Sequence, residues 1–323
     1  MAARKRDSHE RTPSSDATFS YSEFLTRFPD NAACLDYLRD KFFPEGTECP
    51  KCGRPSKFHR IKGRSAYSCQ HCGHHVYPTA GTIFNKTTVS LQLWFYAIYL
   101  MASTRCGISA KQLEREIGVS NKTALRMFRQ IRTLLADNDG DPLGGEGVTV
   151  EADETFIGGK IREAERRKLA AQGLGNRGPA TKPRPVVYGA LERGGKVRAR
   201  VAGTSRTADA AQAHVRSFVL PGSMIYTDDW GGYKRLGKNG YIHRRVNHSA
   251  RVYVDGDVHT NSIEGFFGLL KNGIRGVYHS VSTKHLQSYL DEYAFRYNRR
   301  DEATPMFWAI LDRVQKAPAQ PAA

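Results

Sequence analysis

The stretch Val148–Lys160, VTVEADETFIGGK, decides the fold. Val148, Val150 and Ala152 alternate with Thr149, Glu151 and Asp153, the two-residue period of a β-strand, and acidic residues crowd its end. Downstream, VVYGALERGGKVRARVAG reads as a hairpin turning at Gly194 and Gly195. The helix ADAAQAHVRSFVL follows, then the strand SMIYTDDW and a short strand near YIHRRV. Strands in this order with an interposed helix predict an α/β layer built on a mixed sheet. Three helices come next: HTNSIEGFFGLLKNGI, LQSYLDEYAFRYNRR and TPMFWAILDRVQ. The stripe Leu286, Tyr289, Leu290, Tyr293 and Tyr297 has the spacing of a core face.

Asp153 closes the first strand and Asp228 a later one, so a mixed sheet can set both at one edge of neighbouring strands. An aspartate at a strand end is most often a turn or helix cap. A third acid changes that reading. Glu264 shares a helical stripe with Gly268, Lys271 and Arg275, while Ile263, Phe266, Phe267, Leu270 and Ile274 face a core. Glu264 and Lys271 are seven positions apart, about 10 Å along the axis, which exceeds the reach of a helical ion pair. With Gly268 leaving open surface between them, they read as two separate tools: the carboxylate for a metal, the ammonium for a DNA phosphate. Two acids at strand ends and one on a helix face suit a divalent-metal phosphoryl-transfer site, because hard oxygen ligands hold Mg²⁺ or Mn²⁺. Asp228 is preferred to Asp229 because it directly follows the apolar strand, and Glu151 and Glu154 crowd Asp153.

The N-terminal part carries two CxxC knuckles, Cys49/Cys52 in CPKC and Cys69/Cys72 in CQHC, with Gly53 and Gly73 directly after each pair. Four cysteines at this spacing complete one tetrahedral zinc shell, which predicts a zinc ribbon with a structural Zn²⁺. Cys34 and Cys106 fall in helical patterns and read as core thiols. Beyond the ribbon, SAKQLEREIGVSNKTALRMFRQIRTLL shows two helices broken at Gly118, with Ser109 and Ser120 as N-caps. This is the pattern of a helix-turn-helix. On that reading Asn121, Lys122, Arg126 and Arg129 contact DNA.

Composition sets the frame. The 323 residues carry 49 Lys plus Arg against 32 Asp plus Glu, a formal charge of +17 that favours nucleic acid as partner. The longest apolar run, Leu91–Met101, is too short to span a bilayer, and no secretion signal is visible, so a cytoplasmic protein with no membrane partner is expected. The expected divisions are tails at 1–20 and 314–323, a zinc ribbon with a leading helix at 21–85, a helical DNA-binding region at 86–140, and a catalytic domain at 146–313 after the Gly- and Asp-rich break Ala136–Gly147. Two basic segments, Lys160–Arg184 and the cluster His243, Arg244, Arg245, His248 and Arg251, serve equally well as DNA grips or solvated surface.

In combination, the zinc ribbon, the paired helices, DETFIGGK, TDDWGGY, HTNSIEGFFGLLK and RYNRR resemble the ISXO-like branch of DDE-type insertion-sequence transposases, from roughly Phe28 to Arg313. The resemblance implies an RNase H-like catalytic domain that uses Mg²⁺ to cleave DNA at terminal inverted repeats and join the 3′-hydroxyl to target DNA. It implies Asp153, Asp228 and Glu264 as metal ligands, with Asn261 as a competitor of Glu264 because some relatives place an Asn or His there, Lys271 as a DNA-contacting residue of the same motif, and a homo-oligomer, at least a dimer on double-stranded DNA. Lys271 and Arg275 join the expected DNA-binding set. A zinc-ribbon DNA-binding regulator without catalysis, and an RNase H-like nuclease that never joins strands, are the competing readings.

Overall fold

The computed structural model describes residues 19–136, 140–158, 167, 171, 184–204, 206–246 and 259–316. The basic segment expected at 160–184 and the positions His248 and Arg251 thus lie almost wholly outside the described residues, as do residues 1–18 and 317–323 of the two tails. The chain divides into two units, Met1–Leu134 with Asp301–Ala323, and Leu135–Arg300.

In the first unit, α1 (Tyr21–Arg27) opens with a reciprocal capping box between Ser20 and Glu23, and α2 (Asn31–Phe42) with an Asp30 cap. A small antiparallel sheet follows in the order β1 (Phe58–Arg60), β2 (Tyr67–Cys69), β3 (His75–Val76). The apolar helix α3 (Leu91–Ser103) buries Trp94, Phe95, Ile98 and Met101. Then come α4 (Ala110–Ile117) and α5 (Asn121–Thr133), whose N-caps are Ser109 and Ser120. Gly118, at φ 69°, ends α4 in the left-handed conformation that glycine adopts most easily. Cys34 is buried as expected, but Cys106 is exposed: α3 stops at Ser103, and Cys106 falls in the turn before Gly107.

The second unit is a five-stranded mixed sheet. Its strands are β4 (Thr149–Phe156), β5 (Val186–Glu192), β6 (Val197–Val201), β7 (Met224–Thr227) and β8 (Ile242–Arg245), in the order β6-β5-β4-β7-β8. The first three pair antiparallel; β7 and β8 add parallel to β4. A leading meander with its first strand central, extended by parallel strands, is the RNase H-like arrangement. Helix α6 (Ala208–Phe218) covers one face over Val150, Ala152, Tyr188 and Ala190. The other face, with Val187 and Leu191, is covered by α7 (Asn261–Gly273) and α8 (Thr283–Asn298) through Ile263, Phe267, Leu286 and Leu290. Burial on both faces explains why β5 reads as an unbroken apolar run.

The last helix, α9 (Met306–Asp312), belongs to the first unit: Phe307 stacks on Phe19 at 4.8 Å between ring centroids and packs near Phe24 and Phe28. The second unit ends at Arg300, whereas the expected catalytic domain runs to residue 313; the amphipathic pattern of α9 shows an apolar face without showing which core it completes. Among the described residues, no helix is long and apolar enough to cross a membrane.

Candidate functional site

Register brings the two aspartates together. β4 and β7 run parallel with Thr149 opposite Met224, Val150 opposite Ile225 and Glu151 opposite Tyr226, an offset of 75. Asp153 lies two residues past Glu151 and Asp228 two residues past Tyr226, so the parallel pairing leads both aspartates to the same place at the end of β7. Asp153 lies inside β4 rather than at its end, since pairing with β5 continues to Phe156 opposite Val186. The carboxylates of Asp153, Glu154 and Asp228 offer oxygens that all lie within 4.8 Å of one another.

This crowding has an electrostatic signature. Burial, then the Glu154 charge, with Asp228 and Glu264 adding, push the Asp153 carboxyl up to about 8. Glu154 is also raised, by burial first, although it accepts a 2.8 Å hydrogen bond from the buried Tyr233 hydroxyl and pairs with Arg206 Nε at 2.7 Å. Arg206 Nη2 stands 3.7 Å from Asp228 Oδ2, and its guanidinium lies 3.8 Å over the Trp230 ring. One guanidinium does not neutralise the group, so the site remains short of positive charge. Hard carboxylate oxygens at this spacing, with Asp153 raised by burial first and then by its acidic neighbours, fit a divalent cation. Tyr233 and Trp230 come from the WGGY that follows the aspartates; Arg206, in the loop before α6, carried no sequence signal.

Helix α7 lies over the same face of the sheet. Its first two turns approach closely where β5 has Gly189, the cross-strand partner of Asp153: a Cβ there would sit 2.9 Å from Ile263 Cδ1. Glu264 is exposed and accepts a 2.9 Å hydrogen bond from Thr260 Oγ1. Its oxygens are outside the 4.8 Å group, although its charge is felt at Asp153. Lys271 is lowered from its usual value by burial first and then by Arg275, with Asp153 acting in the opposite direction. A Cβ on Gly268 would meet nothing within 4 Å, so the surface between Glu264 and Lys271 is open. Arg275 and Asn261 are exposed, Arg275 within the π-helical turn Ile274–Tyr278. Asp229 turns elsewhere, pairing with Arg245 at 3.6 Å.

In the first unit, the sulfurs of Cys49, Cys52, Cys69 and Cys72 all lie within 4.8 Å of one another, with Cys49–Cys72 at 3.7 Å and Cys52–Cys69 at 3.9 Å. A tetrahedral ion with Zn–S bonds of about 2.3 Å sets its sulfurs about 3.8 Å apart, so the cluster fits zinc. Each knuckle closes alike: Gly53 N–H donates to the Cys49 carbonyl and Gly73 N–H to the Cys69 carbonyl, with φ of 66° and 68°. The Ser56 hydroxyl, 3.1 Å from Cys69 Sγ, is foremost in pulling that thiol down to about 5. Elsewhere in this unit, on α5, Lys122, Arg126 and Arg129 are exposed, and Asn121 donates to the Glu114 carboxylate at 3.2 Å.

Comparison with known proteins gives these clusters a context. Residues 142–298 match the ISXO2-like transposase domain and residues 29–75 the transposase zinc-ribbon domain. An uncharacterized protein in the transposable element ISH50 of Halobacterium salinarum is 28% identical over 257 residues, spanning 78% of this chain and 85% of that protein. An uncharacterized transposase-like protein of Haemophilus influenzae is 28% identical over 87 residues, 27% of this chain and 69% of its own length. Among solved structures, a chain of the pre-cleavage Mos1 transpososome aligns over 68% of this chain and 79% of that one, at 10% identity and a TM-score of 0.27; the fold assignment rests on the sheet order instead. The cysteine cluster thus falls within the residues that match the transposase zinc-ribbon domain, and the acidic sheet edge within those that match the ISXO2-like transposase domain.

Proposed function

We propose that this chain is a DDE transposase that cleaves DNA at the terminal inverted repeats of an insertion sequence and joins the freed ends to target DNA. The observation that supports the reading is the cluster of Asp153, Glu154 and Asp228, whose carboxylate oxygens lie within 4.8 Å of one another. Asp153 and Asp228 would hold Mg²⁺ or Mn²⁺ with Glu264, which approaches from the helix. The bound cation supplies charge neutralisation at the scissile phosphate and lowers the cost of forming the attacking and leaving oxygens. Arg206 fixes the Asp228 and Glu154 carboxylates, and Lys271, with open surface beside it, engages a backbone phosphate. Arg275, and Asn121, Lys122, Arg126 and Arg129 on α5, extend the contact to duplex DNA, α4 and α5 serving as a helix-turn-helix. Holding two ends together calls for at least a dimer.

The test is cleavage and joining, in Mg²⁺, of a duplex carrying the sequences that flank the coding region. Asp153→Ala, Asp228→Ala and Glu264→Gln should each lower activity by more than about a hundredfold while sparing DNA binding. Unchanged activity in Asp153→Ala or Asp228→Ala would sink the assignment. Since Glu154 joins the 4.8 Å group where Glu264 does not, Glu154→Gln belongs in the series: loss there with an active Glu264→Gln would make Glu154 the third ligand. Binding without cleavage would favour a regulator, and cleavage without joining a nuclease.

A further inference from the structure

Glu151 is an acid with no part in the chemistry just described. It is 0% exposed on β4, two residues before Asp153 and on the same face. A buried carboxylate is stable only when its oxygens are satisfied. Here Oε2 accepts from the backbone N–H of Ser262 at 2.8 Å and of Ile263 at 3.1 Å. Oε1 accepts from Ser262 Oγ at 3.1 Å and Arg193 Nε at 2.8 Å, and lies 3.3 Å from His259 Nδ1.

Those two amides belong to the first turn of α7, which has no side-chain cap of its own at Thr260. Every helix start leaves amides without intrahelical partners, and a negative charge there is also favoured by the helix dipole. In α7 both needs are met by a strand residue 111 positions upstream of Ser262. Arg193 completes the attachment: Nη2 donates to the His259 carbonyl at 3.0 Å, and its guanidinium lies 4.8 Å over the Tyr226 ring of β7. The residue after Ile263 is Glu264. The strand that carries Asp153 therefore also grips the helix turn that carries Glu264.

We propose that Glu151 is a positioning residue: it caps α7 from the sheet and thereby sets Glu264 and Lys271 relative to Asp153 and Asp228. The catalytic part of this inference rests on the transposase reading above; the capping part does not. A misplacement of about 1 Å in a reacting group can cost about a hundredfold in rate.

The test uses the full chain with Glu151→Gln, which keeps the shape and removes the charge, and Ser262→Ala, which loosens the same attachment from the helix side without touching β4. Backbone hydrogen exchange at Ser262 and Ile263 is measured alongside the kinetics of cleaving the flanking-sequence duplex. For Glu151→Gln the expected result is exchange faster by at least about tenfold at those amides, kcat lower by roughly ten- to a hundredfold, and KM unchanged. Ser262→Ala should move both readouts in the same direction by less, and it decides the matter if Glu151→Gln does not fold. Unaltered exchange, or a kcat that falls only in proportion to the folded fraction, would overturn the proposal. A wild-type chain that never cuts the duplex would remove the transposase reading, while the exchange arm would still decide whether Glu151 caps α7.

Discussion

At Asp153 a proton and a cation compete for the same oxygens. Its ordinary value is 3.8 and its folded value about 8, so between these pH values the folded chain keeps a proton that the unfolded chain has released. The folded state then binds more protons, and this group makes stability fall as pH rises through that window. Without divalent ions, the thermal midpoint of the wild type should decline from pH 5 to 8 relative to that of Asp153→Asn, and calorimetry across pH checks it. With Mn²⁺ the proton must leave first, so affinity should rise by up to about tenfold per pH unit below 8 and level off above it. Titration calorimetry reads that directly; an affinity flat in pH would show that Asp153 is already ionised without metal. The two aspartates were legible in the sequence because each follows an apolar strand pattern. Arg206 and Glu154 were not: Arg206 pairs across the fold from a loop without periodicity, and nothing in a strand already crowded with acids distinguishes Glu154 from its neighbours.

At the scale of elements, close approach and local ligation matter most. α7 sits against β5 where Gly189 has no side chain, and a Cβ there would lie 2.9 Å from Ile263 Cδ1 and 3.0 Å from Phe267 Cζ, within a packed core. Gly189→Ala should destabilise the chain by about 1–3 kcal/mol in denaturant unfolding, since neither neighbour can retreat without disturbing others. The ribbon should bind one zinc per chain, lost when Cys49, Cys52, Cys69 and Cys72 become serine; elemental analysis of the purified protein checks this. The ribbon was readable because its ligands are neighbours in sequence, and the buried face of α7 because a period of 3.6 is local. The start of α7 was not readable, because its cap comes from Glu151 on a distant strand. Nor was the full length of β4, whose last pairs depend on a partner, Val186–Tyr188, that sequence alone does not place beside it.

For the molecule as a whole, a formal charge of +17 governs any encounter with DNA. The logarithm of DNA affinity should fall linearly with the logarithm of salt, at a slope of about −0.9 for each phosphate neutralised. Replacing Lys122, Arg126 or Arg129 by alanine should each reduce that slope by about 1, as measured by fluorescence anisotropy at several salt concentrations. An unchanged slope would take α5 out of the interface. The mixed sheet was legible from strand order and the hairpin glycines. The assignment of α9 was not, because an amphipathic helix does not name its partner. That assignment bears on synthesis. The unit that holds the zinc ribbon is discontinuous, with residues 135–300 set between its two parts. On the ribosome the unit Leu135–Arg300 can reach its final form while the ribbon unit still lacks Phe307; the part translated first is completed last, once Met306–Asp312 has emerged to cover the aromatic surface around Phe19, Phe24 and Phe28.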